Sequence, residues 1–502
     1  MNDKIQDVYP LAPGQGGILF HSIGGAGSGE YVIQILIGID GAPDPERERE
    51  SWRALVARHD ALRTAFVWKG RKRPLQVVGR AAAAKLTVTD LSDLDETAQA
   101  ARLADWLRED RAAGFDLTRA PLLRINRFVL GGGRGRIVVT FHHAALDGWS
   151  IPALLRDWAA LYAGRALPAA APFREHVAWV YAQDRDGALA FWREELAGRG
   201  PAGDWPFRRE EGIGERRGDL SIRLDEAETE ALSAALRGDG LTLATAVQGA
   251  WALVQARAAG ADDLVYGLAR AGRPAALPGA ESRVGMFLNT LPVRARIEPS
   301  RPLADWLRGL QARVLAQGPH EHASLAEIQA ADRRGGAPLL QSAVVIENYP
   351  TDPALLGAIP GFRVEAVEVL EQTSLPLTLF AVTRGGLRLR LLHDAAMIGA
   401  GAARRMLDDL RRVLDAFVLR PETPLADIAI LTRAEVAPAA PPAAENPPAA
   451  AGAAETLPGL ARIWADLLEA PLPAAEANFF DLGGHSRLAI TLQDRVARDL
   501  GV

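Results

Sequence analysis

Residues 136–162 read RIVVTFHHAALDGWSIPALLRDWAALY. A β-branched run meets two adjacent histidines, a loop holding Asp147 and Gly148, and then a segment whose apolar spacing is helical. Ser150 is expected as the helix N-cap, with Pro152 tolerated in the first turn. Whatever chemistry this stretch carries therefore sits at a strand-to-helix corner. Successive strand side chains point to opposite faces, so His142 and His143 cannot share one task if the strand persists to its end. One should face a cavity and the other the interior. A neutral imidazole held in one tautomer can accept a proton from an attacking amine or alcohol, and Asp147 can order the loop through an ion pair. Gly148 would permit the sharp turn. The same residues also suit two structural histidines beside a turn.

Outward from this corner, strand-like runs at 31–39 and 136–141 alternate with helical stretches at 47–58 and 151–162. A second series follows from about residue 173: helix-like 242–257, strand-like 263–268 and 342–347, and a closing helix near 404–419. The pattern reads as α/β or α+β, in two lobes of similar make-up. At 502 residues the chain is too long for one ordinary core. The segment 434–455, which begins AEVAPAAPPAAENPPAAAGAA, offers no periodic apolar face and reads as a linker. Its X-Pro steps favour extended backbone at ~3 Å per residue, a reach on the order of 60 Å. There is no short-period repeat of solenoid type.

Composition narrows the function classes. Hydrophobic residues make up 48% and charged residues 24%, with no apolar run of membrane-spanning length, so a globular protein without membrane partners is expected. A net charge of −5 without a basic stripe gives nucleic acid nothing to bind. Cysteine is absent, which removes disulfides and thiolate chemistry. The opening MNDKIQDVYPLAPG lacks the apolar core of a secretory signal, so a cytoplasmic address is expected.

FHHAALDGWS resembles the HHxxxDG signature of nonribosomal peptide synthetase condensation domains. Other stretches match that family in order: YPLAPGQGGILFHS at 9–22, RHDALRTAF at 58–66, FREHVAWV at 173–180, VGMFLNTLPVR at 284–294, GPHEHASL at 318–325 and IENYP at 346–350. The resemblance implies an α/β fold of two chloramphenicol-acetyltransferase-like lobes, 1–172 and 173–433, in a V around a central tunnel. It makes His143 the central catalytic residue and His142 structural, and gives Asp147 and Gly148 to the same site. Asp147 would hold the loop through an arginine, either Arg63 in RHDALRTAF or Arg273 in GLARAGRP. Trp149, Ser150, Asn289 and Thr290 would line the tunnel. Gly14, Gly16 and Gly17 make PGQGG looser than the usual helical opening, which weakens any transfer to Gln15.

After the linker, residues 456–502 resemble the beginning of a peptidyl carrier domain, a small all-helical segment that reads as truncated. LGGHS at 482–486 places Ser486 as the covalent attachment point of 4'-phosphopantetheine. Gly483 and Gly484 permit a tight turn, Ser486 opens a helix with Leu488, Leu492 and Val496 on one face, and a helix N-terminus favours the phosphodiester. Arg487 departs from the apolar residue usual after that serine. The implied reaction joins a donor acyl or peptidyl thioester to an acceptor amine. The implied partners are an upstream donor carrier protein, an acceptor carrier or small-molecule acceptor, a phosphopantetheinyl transferase and a separate adenylating enzyme. An ester-forming condensation domain, an epimerization domain and a noncatalytic recruitment domain share the fold. Epimerization domains normally follow their carrier, and recruitment domains usually lack an intact HHxxxDG.

Overall fold

In the computed structural model, residues 4–24, 29–199, 217–332, 338–347, 356, 359–430, 456–468, 492 and 495–496 are described. The linker 434–455 and Ser486 lie outside them. The strands, in chain order, are β1 (Ile5–Pro10), β2 (Val32–Gly41), β3 (Thr64–Val67), β4 (Leu75–Gly79), β5 (Lys85–Asp90), β6 (Leu123–Gly131), β7 (Arg134–His142), β8 (Arg217–Leu224), β9 (Asp263–Arg270), β10 (Asn289–Arg296), β11 (Ser342–Glu347), β12 (Phe362–Leu370), β13 (Leu377–Val382) and β14 (Leu387–Asp394). With the helices between them they give the expected mixed α/β fold.

The chain groups into two compact units. The first gathers Met1–Gln183, Ala271–Leu288 and Tyr349–Ser374; the second gathers Asp184–Arg270, Asn289–Asn348 and Leu375–Val502. This grouping runs past the division expected after residue 172. Asp60 Oδ2 accepts the Phe173 N–H at 2.9 Å, and the helix Arg174–Tyr181 packs on β1, so the chain stays with the first unit past that point.

In the first unit, a five-stranded sheet runs in the order β12-β2-β7-β6-β5, beside a smaller sheet of order β1-β4-β3. β7 is central, and its near-continuous burial reflects cover on both faces. Ile137, Val139 and Phe141 join a core with Trp52, Leu55, Leu154 and Trp158 from the helices Pro45–Arg58 and Ser150–Tyr162. The Trp52 and Trp158 rings stack at 4.8 Å. Val138 instead meets Leu36, Phe128 and Leu103, the last from the helix Glu96–Ala113. Asp44 caps the helix Pro45–Arg58 by accepting the Glu46 and Arg47 N–H groups.

The second unit holds a six-stranded sheet of order β10-β9-β11-β13-β14-β8. β11 runs parallel to β9 and β13, and the other pairs are antiparallel. Its core joins Trp251 from the helix Leu243–Ala259, Tyr266 from β9 and Met406, Leu410 and Phe417 from the helix Ala400–Leu419. Among the described residues, no helix is long and apolar enough to cross a membrane.

Candidate active site

β7 ends at His142, which leaves His143 as the first residue past the strand. His142 is buried. Its Nδ1 accepts the Ala144 N–H at 3.2 Å, which leaves Nε2–H to donate to Ser22 Oγ at 3.1 Å. Ser22 in turn donates to the Ile18 carbonyl at 2.7 Å. Burial, with a smaller push from His143, drives the His142 imidazole down to about 3. The ring is neutral and its two nitrogens are both hydrogen-bonded.

His143, one residue past the strand, is half-buried. Tyr31 O accepts its backbone N–H at 2.8 Å, and Leu146 O lies 2.8 Å from its Nδ1. A carbonyl only accepts, so Nδ1 carries the proton and Nε2 presents a lone pair. Burial holds the imidazole below its usual value, although the Leu146 carbonyl and the Asp147 charge pull it back up. The site therefore has a neutral imidazole in one tautomer.

Asp147 is fully buried and does not touch His143 Nδ1. Its Oδ1 accepts from Ser150 N at 2.8 Å, Ser150 Oγ at 2.7 Å and Arg273 Nη2 at 2.7 Å; its Oδ2 accepts the Phe287 N–H at 3.1 Å. The carboxylate thus ties the corner to the segment Ala271–Leu288. Arg273 also donates to Ala280 O and Arg283 O, and its guanidinium lies 4.1 Å from the centre of the Phe287 ring. Arg63, the other candidate, donates instead to Gln6 Oε1 and the Gly79 carbonyl. Those bonds hold the end of β4, so of the two candidates it is Arg273 that makes the ion pair.

Ser150 also departs from expectation. The helix begins at Ser150, and Asp147 supplies the carboxylate that accepts its N–H. The Ser150 side chain is wholly buried, with Gly285 N and Gly285 O at 3.0 and 2.8 Å, so it helps lock the corner. Gly148 is half-buried in the turn and its carbonyl accepts the Ile151 N–H at 3.1 Å; Trp149 is half-buried beside it.

In the second unit, Asn289 is buried and donates to the carbonyls of Glu321 and Ala323, both at 2.8 Å. Its amide nitrogen is committed to the GPHEHASL segment, whereas its buried Oδ1 meets no hydrogen-bond donor among the described residues. Thr290 is half-buried on β10 opposite Ala269 of β9. Gln15 contributes more than the sequence suggested: despite Gly16 and Gly17, Gln15–Gly24 is helical. Gln15 Nε2 donates to Ala144 O at 2.8 Å and to Gln76 Oε1 at 3.0 Å, bracing the residue next to His143. An amide flanked by glycines carries no mark of that contact.

Comparisons with known proteins identify the family. The family described as Condensation domain matches residues 5–437, and the one described as Phosphopantetheine attachment site matches 458–502. The chain is 36% identical over 453 residues to one component of the linear gramicidin synthase of Brevibacillus parabrevis, an alignment covering 86% of this chain and 6% of that protein. Among solved structures, a four-domain nonribosomal peptide synthetase bound to AMP and glycine superposes with a TM-score of 0.73 at 20% identity, covering 84% of this chain and 34% of that one. The X-domain from teicoplanin biosynthesis, solved in complex with OxyB, gives 0.73 at 25% identity over 85% of this chain and 96% of that one. This chain belongs to the condensation domain family of nonribosomal peptide synthetases, acyltransferases that form peptide bonds, and carries a phosphopantetheine attachment domain after it. It spans a small fraction of the length of the gramicidin synthase relative.

Proposed function

We propose that this chain joins a donor acyl or peptidyl thioester to an acceptor amine, with His143 as the residue that handles the amine's proton. The observation that carries the reading is the His143 ring: Nδ1–H is committed to the Leu146 carbonyl and burial disfavours the cation, so Nε2 is a ready acceptor. The amine nitrogen attacks the thioester carbonyl, its proton passes to Nε2, and the thiolate leaves and takes that proton back. Asp147 and Arg273 keep the corner rigid, and His142 stays neutral beneath it. Trp149 is proposed to meet substrate.

Ser486, in LGGHS, is proposed to bear the 4'-phosphopantetheine arm, which supplies the thioester linkage for a carrier-bound acceptor. A phosphopantetheinyl transferase would attach it. Residues 438–457 separate the two family matches, too few for an adenylation domain, so a separate adenylating enzyme would load the acceptor. An upstream carrier would bring the donor, and a free small molecule is the alternative acceptor.

The likeness to the X-domain solved with OxyB supports a second reading, a noncatalytic recruitment domain. Incubating the chain with a donor-loaded carrier and following product by mass spectrometry separates the two. Wild type is expected to form product and His143→Ala to lose at least about a hundredfold in rate; a wild-type protein that turns over no amine or alcohol acceptor favours recruitment. Product from alcohols alone assigns ester formation. A donor inverted at Cα without transfer assigns epimerization.

A further inference from the structure

Among the described residues, Tyr31 is the one non-glycine residue with a left-handed backbone, at φ 59°. A Cβ crowds the following carbonyl in that region, so a tyrosine persists there only when its surroundings hold it. Two contacts do so. Tyr31 O accepts the His143 N–H at 2.8 Å, one step beyond the last ladder pair, Val32 with His142. The Tyr31 hydroxyl lies 2.6 Å from Ser374 Oγ, on the segment that brings β12 into this unit. The left-handed residue lies in a turn in which Val32 N–H reaches Gly29 O at 3.3 Å, so the chain swings away from the sheet just as its carbonyl reaches the histidine.

We infer that Tyr31 is a positioning residue for His143: its left-handed backbone sets the carbonyl that fixes the histidine just past the strand end, and its hydroxyl, through Ser374, holds that backbone in place. Resting on the reading of His143 above, the inference adds a residue that no sequence motif marks. It also gives the strained backbone a task, since a reacting group displaced by about 1 Å can lose on the order of a hundredfold in rate.

The test uses the whole chain, a donor-loaded carrier and an amine acceptor, with kcat and KM measured separately. Tyr31→Gly accepts the left-handed backbone and loses only the hydroxyl contact, so it is expected to lower kcat by the same few-fold factor as Tyr31→Phe. Tyr31→Val resists it and is expected to lose kcat by about tenfold or more with KM unchanged. Tyr31→Phe and Ser374→Ala should each lower kcat by the same few-fold factor, and the double variant by no more than either. The histidine 15N spectrum reports independently of turnover: the Nδ1–H tautomer of His143 should persist in Tyr31→Gly and mix in Tyr31→Val. Tyr31→Val with wild-type kcat and tautomer overturns the inference, as does Tyr31→Gly impaired as severely as Tyr31→Val. If Tyr31→Val fails to fold, the Phe and Ala variants decide, and additive losses count against the inference. Unimpaired His143→Ala would instead overturn the reading of His143 itself.

Discussion

Asp147 accepts four hydrogen bonds while wholly buried, and its partner Arg273 is only 3% exposed. Removing one member of such a pair strands the other, at a cost of about 3–5 kcal/mol, a large share of a domain's stability. Asp147→Ala and Arg273→Ala are therefore expected to melt well below wild type in calorimetry, whereas His143→Ala should melt close to it. Equal melting of Asp147→Ala and His143→Ala would contradict this division of roles. Two other histidines set an acid limit. Burial drives His142 and His176 to about 3, with the charge of His143 on the first and of Arg273 and Arg283 on the second adding to it. Both are neutral in the folded chain but protonate near 6.5 when unfolded, so the unfolded state binds more protons between these values. Stability is thus intact above pH 6.5 and falls as pH drops toward 3, by about 2 kcal/mol per histidine at pH 5. Urea titrations of wild type and His176→Phe at pH 7.5 and pH 5 should show a smaller acid loss in the variant; equal losses count against it.

The strand-loop-helix corner works because the segment Ala271–Leu288 closes it from outside. Gly285 pairs with Ser150 and Asp147 through both its N–H and its carbonyl. Gly272 has φ 62°, and a Cβ there would stand 1.9 Å from Phe287 O. Gly272→Ala is expected to combine left-handed strain with a backbone clash and cost about 3 kcal/mol, read as a lowered denaturation midpoint; an unchanged midpoint contradicts the packing. The corner itself was legible. Strand period separated His142 from His143, and the helical run after Asp147 matched Ser150–Tyr162. What sequence left open was partner choice. Arg63 and Arg273 are equally good cations on paper, and only the path of 271–288 brings one of them to Asp147. Asn289 is similar, since an asparagine at a strand end shows no sign of the two carbonyls it will meet. Gln15 was only weakly marked because its side-chain amide meets the Ala144 carbonyl and Gln76, and Tyr31 was unmarked because its carbonyl and hydroxyl find partners far along the chain.

At the scale of the molecule, sequence order is a poor guide to unit membership. β12 completes the first unit's sheet by pairing along β2 from Phe362 with Gly41 to Leu370 with Gln34, and no periodicity near residue 362 announces where it belongs. Without β12, β2 is an apolar, unpaired edge. Residues 1–183 produced alone are expected to aggregate, as followed by size-exclusion chromatography; a folded monomer would contradict the pairing's importance. The Pro/Ala linker and Ser486 were read from composition and motif, and they frame the functional proposal: an arm tethered on the same chain would present its thioester at an effective concentration on the order of mM. The most direct measurement is intact-protein mass spectrometry of the phosphopantetheinylated, aminoacyl-loaded chain mixed with a donor-loaded carrier. The account predicts that the donor acyl mass moves onto this chain in wild type, and that His143→Ala leaves it on the donor carrier while Ser486→Ala never acquires the arm. Transfer at the wild-type rate by His143→Ala would contradict it.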